Sequence, residues 1–162
     1  VAGFETTVNF FGNMMLSLLE APEIFTAMPH DRVALEAAVE ELLRLHTPAH
    51  IVRRHAAEDI EVAGHSIPAG SDIAILLALC NRDPRVFSEA DRFQFGRSPN
   101  PHLSFAFGRH YCVGATLARL ELVAMLRAIC SRLPALQLSP RSRAGWSGRL
   151  LGRGLSEVRV LR

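Results

Sequence analysis

The run Phe105-Ala-Phe-Gly108-Arg-His110-Tyr-Cys112-Val-Gly114 constrains this chain more than any other ten residues. It sets a lone cysteine between a Phe/Gly turn and the start of a long helix. That helix reads from Ala115 to about Leu133. Cys112 therefore lies at the end where backbone N–H groups lack intrahelical partners and the helix dipole is positive. Both features favour the thiolate over the thiol. Gly108 and Gly114 are expected to adopt backbone conformations closed to other residues, so that the loop folds tightly around the sulfur and a flat ligand can approach. Phe105 is expected to cover the sulfur from water. A thiolate so placed is a strong axial ligand for haem iron; the alternative is a free cysteine that fills a core, as most do.

Composition narrows the setting. Of 162 residues, 49% are hydrophobic, enough for a sizeable core in one domain or part of one. The three cysteines, Cys80, Cys112 and Cys130, show no Cys-x-x-Cys spacing. That argues against a zinc ribbon or a disulfide scaffold and fits a reducing cytoplasm. The longest apolar run, Ile73 to Cys80, is too short to cross a bilayer, and no signal-peptide pattern opens the chain, so a cytoplasmic protein without a membrane span is expected. The basic residues are all Arg, and they crowd the end, where Arg141, Arg143, Arg149, Arg153, Arg159 and Arg162 face Glu157 alone. Such a tail can bind nucleic acid, but its interleaved Gly, Leu and Val fit the solvated strands of a folded end, so no nucleic-acid partner is expected.

Helices fill the first third. Val1 to Glu20 reads as a mostly apolar helix already under way at residue 1, with neither a capping residue nor an initiator Met ahead of it, the pattern of a fragment. Pro22 suits the first turn of a second helix. Asp31 can cap a third that runs to about Leu45, with Leu35, Val39, Leu42 and Leu45 on one face and Pro48 ending it. A β-rich stretch follows. Asp59 to Val62 alternates, Ala63-Gly64 turns, Ser66-Ile67 is extended, Pro68-Ala-Gly70 turns again, and Asp72 to Ala78 reads as a buried strand. From Asn81 to Arg109 periodicity is lost among prolines and charges, a length of irregular chain that is usually functional inside a domain. On the third helix Arg32, Glu36, Glu40 and Arg44 recur every four residues; taken alone they form an exposed stripe with Glu40 paired to Arg44. The alternative pairs Glu41 with Arg44.

The spacing Phe-x-x-Gly-x-x-x-Cys-x-Gly resembles the haem-ligand loop of the cytochrome P450 monooxygenases of bacterial soluble type, and other segments follow in that family's order. Glu41-x-x-Arg44, followed by Ala90-Asp-Arg92-Phe93, resembles the network that pins the family's meander to a helix. This implies that Glu41, Arg44 and Arg92 are structural residues. Val1-Ala2-Gly3-Phe-Glu5-Thr6-Thr7 resembles the oxygen-binding segment of the distal helix. It implies that Ala2 and Gly3 let the cofactor approach the backbone and that Glu5 and Thr6 relay protons to dioxygen. The segment from Arg53 to Val62 resembles a strand whose arginine meets a haem propionate, here Arg54, and His110 takes the place of the residue on the other propionate. Ala106 stands where the family usually has Gly or a small polar residue, which predicts a strained turn ahead of the cysteine.

The resemblance implies a mainly α fold with small β regions. Residues 1–162 would correspond to the C-terminal part of a single cytochrome P450 catalytic domain, its N-terminal part absent. It implies haem b (iron protoporphyrin IX) on Cys112, with Phe105, Gly108, His110, Gly114, Arg54, Ala2 and Gly3 at the cofactor and Glu5 and Thr6 catalytic. The implied activity is that of an oxidoreductase: two electrons and two protons cleave O2, one oxygen atom entering a hydrophobic small-molecule substrate and the other leaving as water. Electrons would come from NAD(P)H through a ferredoxin-type donor docking near Arg109. Thr47 to Val52 and the turn at Leu150-Leu151 would border the substrate. Isolated as a fragment, the chain is expected to be inactive. Two other readings stay open: a haem-binding sensor or carrier without turnover, and a non-catalytic helical interaction fragment with Cys112 in its core.

Overall fold

Three helices build the core that positions the cysteine loop. In the computed structural model, which describes residues 3–142, 145–146 and 154–162, the chain begins with α1 (Glu5–Glu20), α2 (Pro22–Thr26) and α3 (Arg32–Leu45). Strands β1 (Ile51–His55), β2 (Ile60–Val62), β3 (His65–Ile67) and β4 (Asp72–Leu76) follow, then α4 (Leu77–Cys80), α5 (Ala115–Arg132), β5 (Gln137–Leu138) and β6 (Val160–Leu161). Helical spacing turns Phe10, Met14 and Leu18 of α1, Leu35, Val39 and Leu42 of α3, and Leu122, Leu126 and Cys130 of α5 into one buried cluster. Burial of a large side chain in such a cluster contributes about 1.5–3 kcal/mol. The Asp31 carboxylate accepts the Ala34 N–H at 2.9 Å and caps α3, and Pro22 opens α2.

The β elements are small. β1 and β4 pair antiparallel with Arg54 opposite Ile73, and β2 and β3 form a hairpin. Its turn residues Ala63 and Gly64 have φ of +50° and +78°, the hand that matches strand twist. β5 pairs with β6, and Trp146 bridges Leu155, so the arginine-rich end folds as short strands where it is described. Two expectations are corrected here. The first helix begins at Glu5 rather than residue 1, because Gly3 takes φ +93°, outside the helical region; Val1 and Ala2 lie outside the described residues. The strand starting at Asp72 ends at Leu76 and alternates between half-buried and exposed positions, since it has a partner on one edge and no layer over its outer face; Leu77 starts a helical turn instead.

A buried ion cluster ties the irregular segment to α3. Arg44 donates through Nε and Nη2 to the two carboxylate oxygens of Glu41 at 2.7 and 2.8 Å, and both side chains are 0% exposed. Its remaining nitrogen, Nη1, donates to the carbonyls of Asn81 and Ala90. The alternative pairing of Arg44 with Glu40 is thereby excluded. The second arginine on Glu41 is Arg97, at 2.9 Å and 6% exposed, and not the expected Arg92. Arg92 faces solvent and pairs with Glu89, contributing only its carbonyl, which accepts from Arg44 Nη2 at 3.1 Å. The reason is backbone geometry: Gly96 takes φ +68° and turns the next side chain back toward α3. Burial opposes the charge on Glu41, but hydrogen bonds from Arg44 and Arg97 outweigh it and hold the carboxyl below its ordinary range.

Candidate functional site

The loop before α5 is held by backbone bonds around Cys112. The Cys112 N–H donates to the Phe105 carbonyl at 2.9 Å, and its own carbonyl accepts the Ala115 N–H at 3.2 Å, tying the residue to both the turn and the helix start. Between them Gly108–His110 forms a 3-10 turn closed by Tyr111 N–H to the Gly108 carbonyl at 3.0 Å. Gly108 has φ +72°, so this position does need glycine. Gly114 has φ −86°, which any residue can adopt, and a side chain there would begin 3.9 Å from Cys112 Sγ, an ordinary contact distance, so neither the backbone nor the space at this position demands glycine. Ala106 takes φ +60°, the strained turn expected from its departure from the family pattern. Left-handed backbone costs a non-glycine residue about 1–2 kcal/mol. Ala106→Gly is accordingly expected to raise the denaturant midpoint at unchanged slope, by up to about 1 kcal/mol after the extra entropy of glycine; an unchanged or lower midpoint means that no strain is released there.

Cys112 is exposed and makes no disulfide, whereas Cys130 is buried in the core, where burial pushes its thiol up. The Phe105 ring does not screen the sulfur as expected. It is half-buried and lies under the Arg119 guanidinium, 4.4 Å from its centre, and its link to Cys112 is the backbone carbonyl. In the same loop Phe107 is 81% exposed and Val113 fully exposed, with Arg109 and His110 also open to solvent. An exposed thiol in a loop that also exposes an aromatic, an aliphatic and two basic side chains has the chemistry to hold a large flat apolar group with an anionic edge such as haem.

The other predicted site residues sit on separate elements. Glu5 and Thr6 occupy the first turn of α1, Glu5 half-buried and Thr6 exposed; the neighbouring Thr7 hydroxyl donates back to the Gly3 carbonyl at 3.3 Å. Arg54 is half-buried on β1, with its Nη1 on the Arg53 carbonyl at 2.8 Å. Ala2 and the turn Leu150-Leu151 lie outside the described residues. Thr47 is 2% exposed and bonds the Ala49 carbonyl, so within the stretch expected to border substrate only positions beyond it are even partly open. Among the described residues no helix is long and apolar enough to cross a membrane.

The site thus sets an exposed cysteine in a loop ahead of a core helix, with small antiparallel sheets elsewhere in the chain. Residues 1–136 match the family Cytochrome P450. The biotin biosynthesis cytochrome P450 of Bacillus subtilis (strain 168) is 42% identical over 139 residues, covering 86% of this chain and 35% of the relative. A vitamin D3 dihydroxylase of Streptomyces griseolus is 42% identical over 140 residues, covering 86% and 34%. The 20-oxo-5-O-mycaminosyltylactone 23-monooxygenase of Streptomyces fradiae is 43% identical over 136 residues, covering 84% and 32%. Among solved structures, P450BioI in complex with a hexadec-9Z-enoic acid ligated acyl carrier protein superposes with a TM-score of 0.91 at 40% identity, over 98% of this chain and 41% of that one. CYP109E1 from Bacillus megaterium in complex with testosterone gives 0.93 at 31% identity, over 98% and 44%. The chain belongs to the cytochrome P450 family of haem-dependent monooxygenases, with a partial P450 fold of helices and small sheets. It spans about a third of the length of the curated relatives it matches.

Proposed function

We propose that the chain is the part of a haem-thiolate monooxygenase that supplies the iron ligand and one edge of the oxygen site, and that it corresponds to the C-terminal part of the family's domain. The observation that carries this reading is the exposed, unbridged Cys112 in a glycine-turned loop whose N–H is fixed by the Phe105 carbonyl just ahead of α5. Its motif order, with the distal-helix segment first and the cysteine loop last, supports the C-terminal placement. When bound, haem b supplies the redox chemistry by which dioxygen is reduced and one atom is transferred to substrate. The Cys112 thiolate would hold the iron and push electron density toward it, which favours O–O cleavage. Gly114 would sit beside the sulfur, Phe107 and Val113 would pack on the macrocycle, and Arg54 and His110 would pair with its propionates. Gly3, and Ala2 before it, would let the ring approach the backbone.

Glu5 and Thr6, consecutive in the first turn of α1, would take protons from solvent and deliver them toward the oxygen site. Electrons would arrive from NAD(P)H through a small acidic ferredoxin-type partner, for which Arg109 offers exposed positive charge. A hydrophobic substrate is supported by relatives named for vitamin D3 and by a neighbour bound to testosterone. A cytoplasmic setting is supported by three cysteines without a disulfide. Thr6→Ala tests the proton role in a protein extended to the length of its relatives. Haem and substrate binding should persist while product formed per NAD(P)H consumed falls severalfold, as electrons are diverted to peroxide or water. Unchanged coupling makes Thr6 a helix residue and nothing more.

A further inference from the structure

Glu40, next to the buried Glu41 on α3, anchors a second network that the readings above leave without a role. Its carboxylate accepts both Nε and Nη2 of Arg119 at 2.7 and 2.9 Å, a two-pronged pairing across α3 and α5. Oε2 also meets Nε2 of His102 at 3.0 Å, and the His102 ring is only 3% exposed. On that ring Nδ1 accepts the Ser104 N–H at 3.2 Å, which leaves Nε2 as the nitrogen that donates to Glu40. Burial opposes the charge on Glu40, but the bonds from His102 and Arg119 hold its carboxyl down at about 2.

What Arg119 does with its free surfaces gives the network direction. Its guanidinium covers the Phe105 ring at 4.4 Å, and its third nitrogen, Nη1, donates to the Tyr111 hydroxyl at 3.0 Å. Tyr111 precedes Cys112 in the chain, and the Phe105 carbonyl is the acceptor of the Cys112 N–H. One planar cation therefore grips both the residue just before the cysteine and the residue whose carbonyl accepts its N–H. Ser104, beside Phe105, donates in turn to the Leu43 carbonyl of α3 at 2.7 Å, which ties the start of the loop to that helix.

We propose that Arg119, oriented by Glu40 and His102, is the positioning residue of the cysteine-ligand loop: it holds Phe105 and Tyr111 so that the Phe105 carbonyl stays on the Cys112 N–H. The proposal rests on the reading of Cys112 as the iron ligand. A fork geometry is needed, because a single ammonium cannot pair with both Glu40 oxygens while donating to Tyr111 and lying flat on Phe105.

The test is made on the haem-loaded protein extended to the length of its relatives, comparing Arg119→Gln, Arg119→Lys and Tyr111→Phe with the unchanged sequence. Arg119→Gln and Arg119→Lys should each speed hydrogen exchange at the Cys112 amide by about tenfold while Leu122 and Leu126 in the core of α5 keep their protection, as expected of a local opening. Both should also move part of the red-shifted Soret absorption of the reduced, carbon monoxide-bound protein to the unshifted position. Tyr111→Phe removes one exposed-side hydrogen bond without touching the core, and it should show the same exchange effect at about two- to fivefold. If the arginine variants fail to fold, that variant decides. Unaltered exchange at Cys112, or equal loss of protection at Leu122 and Leu126, overturns the proposal. Absence of a red-shifted band in the unchanged protein is a different result: it overturns the ligand reading on which the proposal stands.

Discussion

Glu41→Gln is expected to destabilise the fold by about 3–5 kcal/mol, the cost of removing one member of a buried charge cluster. Glutamine keeps the shape of glutamate but leaves the Arg44 and Arg97 guanidiniums facing a neutral group, with Arg44 0% exposed and unable to reach water. For a domain of ordinary stability, about 5–15 kcal/mol, that is a large share of the total. Denaturant unfolding of a protein extended to the length of its relatives reads it directly. The same series separates the two candidate arginines. Arg97→Ala should cost a comparable amount, whereas Arg92→Ala, which breaks only an exposed pair with Glu89, should stay within about 1 kcal/mol. Equal losses for Arg92→Ala and Arg97→Ala would show the cluster to be wrongly assigned.

The 162-residue chain alone, supplied with haem and a reducing system, is expected to hydroxylate no substrate. It spans about a third of its relatives' length, and Cys112, Phe107 and Val113 lie open rather than under a second wall. An open site lacks the water-excluded, low-dielectric setting in which reactive intermediates are retained. Phe4 and Val8, on the solvent side of α1, and Leu117 and Leu120 on α5 add uncovered apolar surface that favours self-association. Size-exclusion chromatography, thermal melting and product analysis decide the matter together. A monomer that melts cooperatively and forms product refutes this expectation.

Local signals were legible in the sequence, and long-range ones were not. The cap at Asp31, the opening of α2 at Pro22, the hairpin turn at Ala63-Gly64 and the extent of α5 depend on a few adjacent residues, and each stands where its residues place it. Helical spacing alone offered Arg44 both Glu40 and Glu41; the Glu41–Arg44 pair was readable only through the family's Glu-x-x-Arg pattern. Arg97 was missed because its selection depends on the φ of Gly96 and on how the whole segment folds back to α3. Glu40 was read as part of an exposed stripe, since helical spacing cannot reveal that His102 and Arg119 arrive from distant positions to meet it. Gly114 shows the opposite failure: glycine suggested a special backbone, and the position has an ordinary φ with room for a Cβ. At the cysteine loop, the sequence conveyed spacing and chemistry, but the role of the Phe105 carbonyl belongs to geometry that no residue identity encodes.

The central claim is that Cys112, alone among the three cysteines, is the thiolate ligand of a haem iron. Its most direct test is the absorption spectrum of the reduced, carbon monoxide-bound protein at the length of its relatives. The unchanged sequence, Cys80→Ala and Cys130→Ala should all give the strongly red-shifted Soret band of thiolate ligation, and Cys112→Ala should lose it completely. A red-shifted band that survives Cys112→Ala contradicts the account.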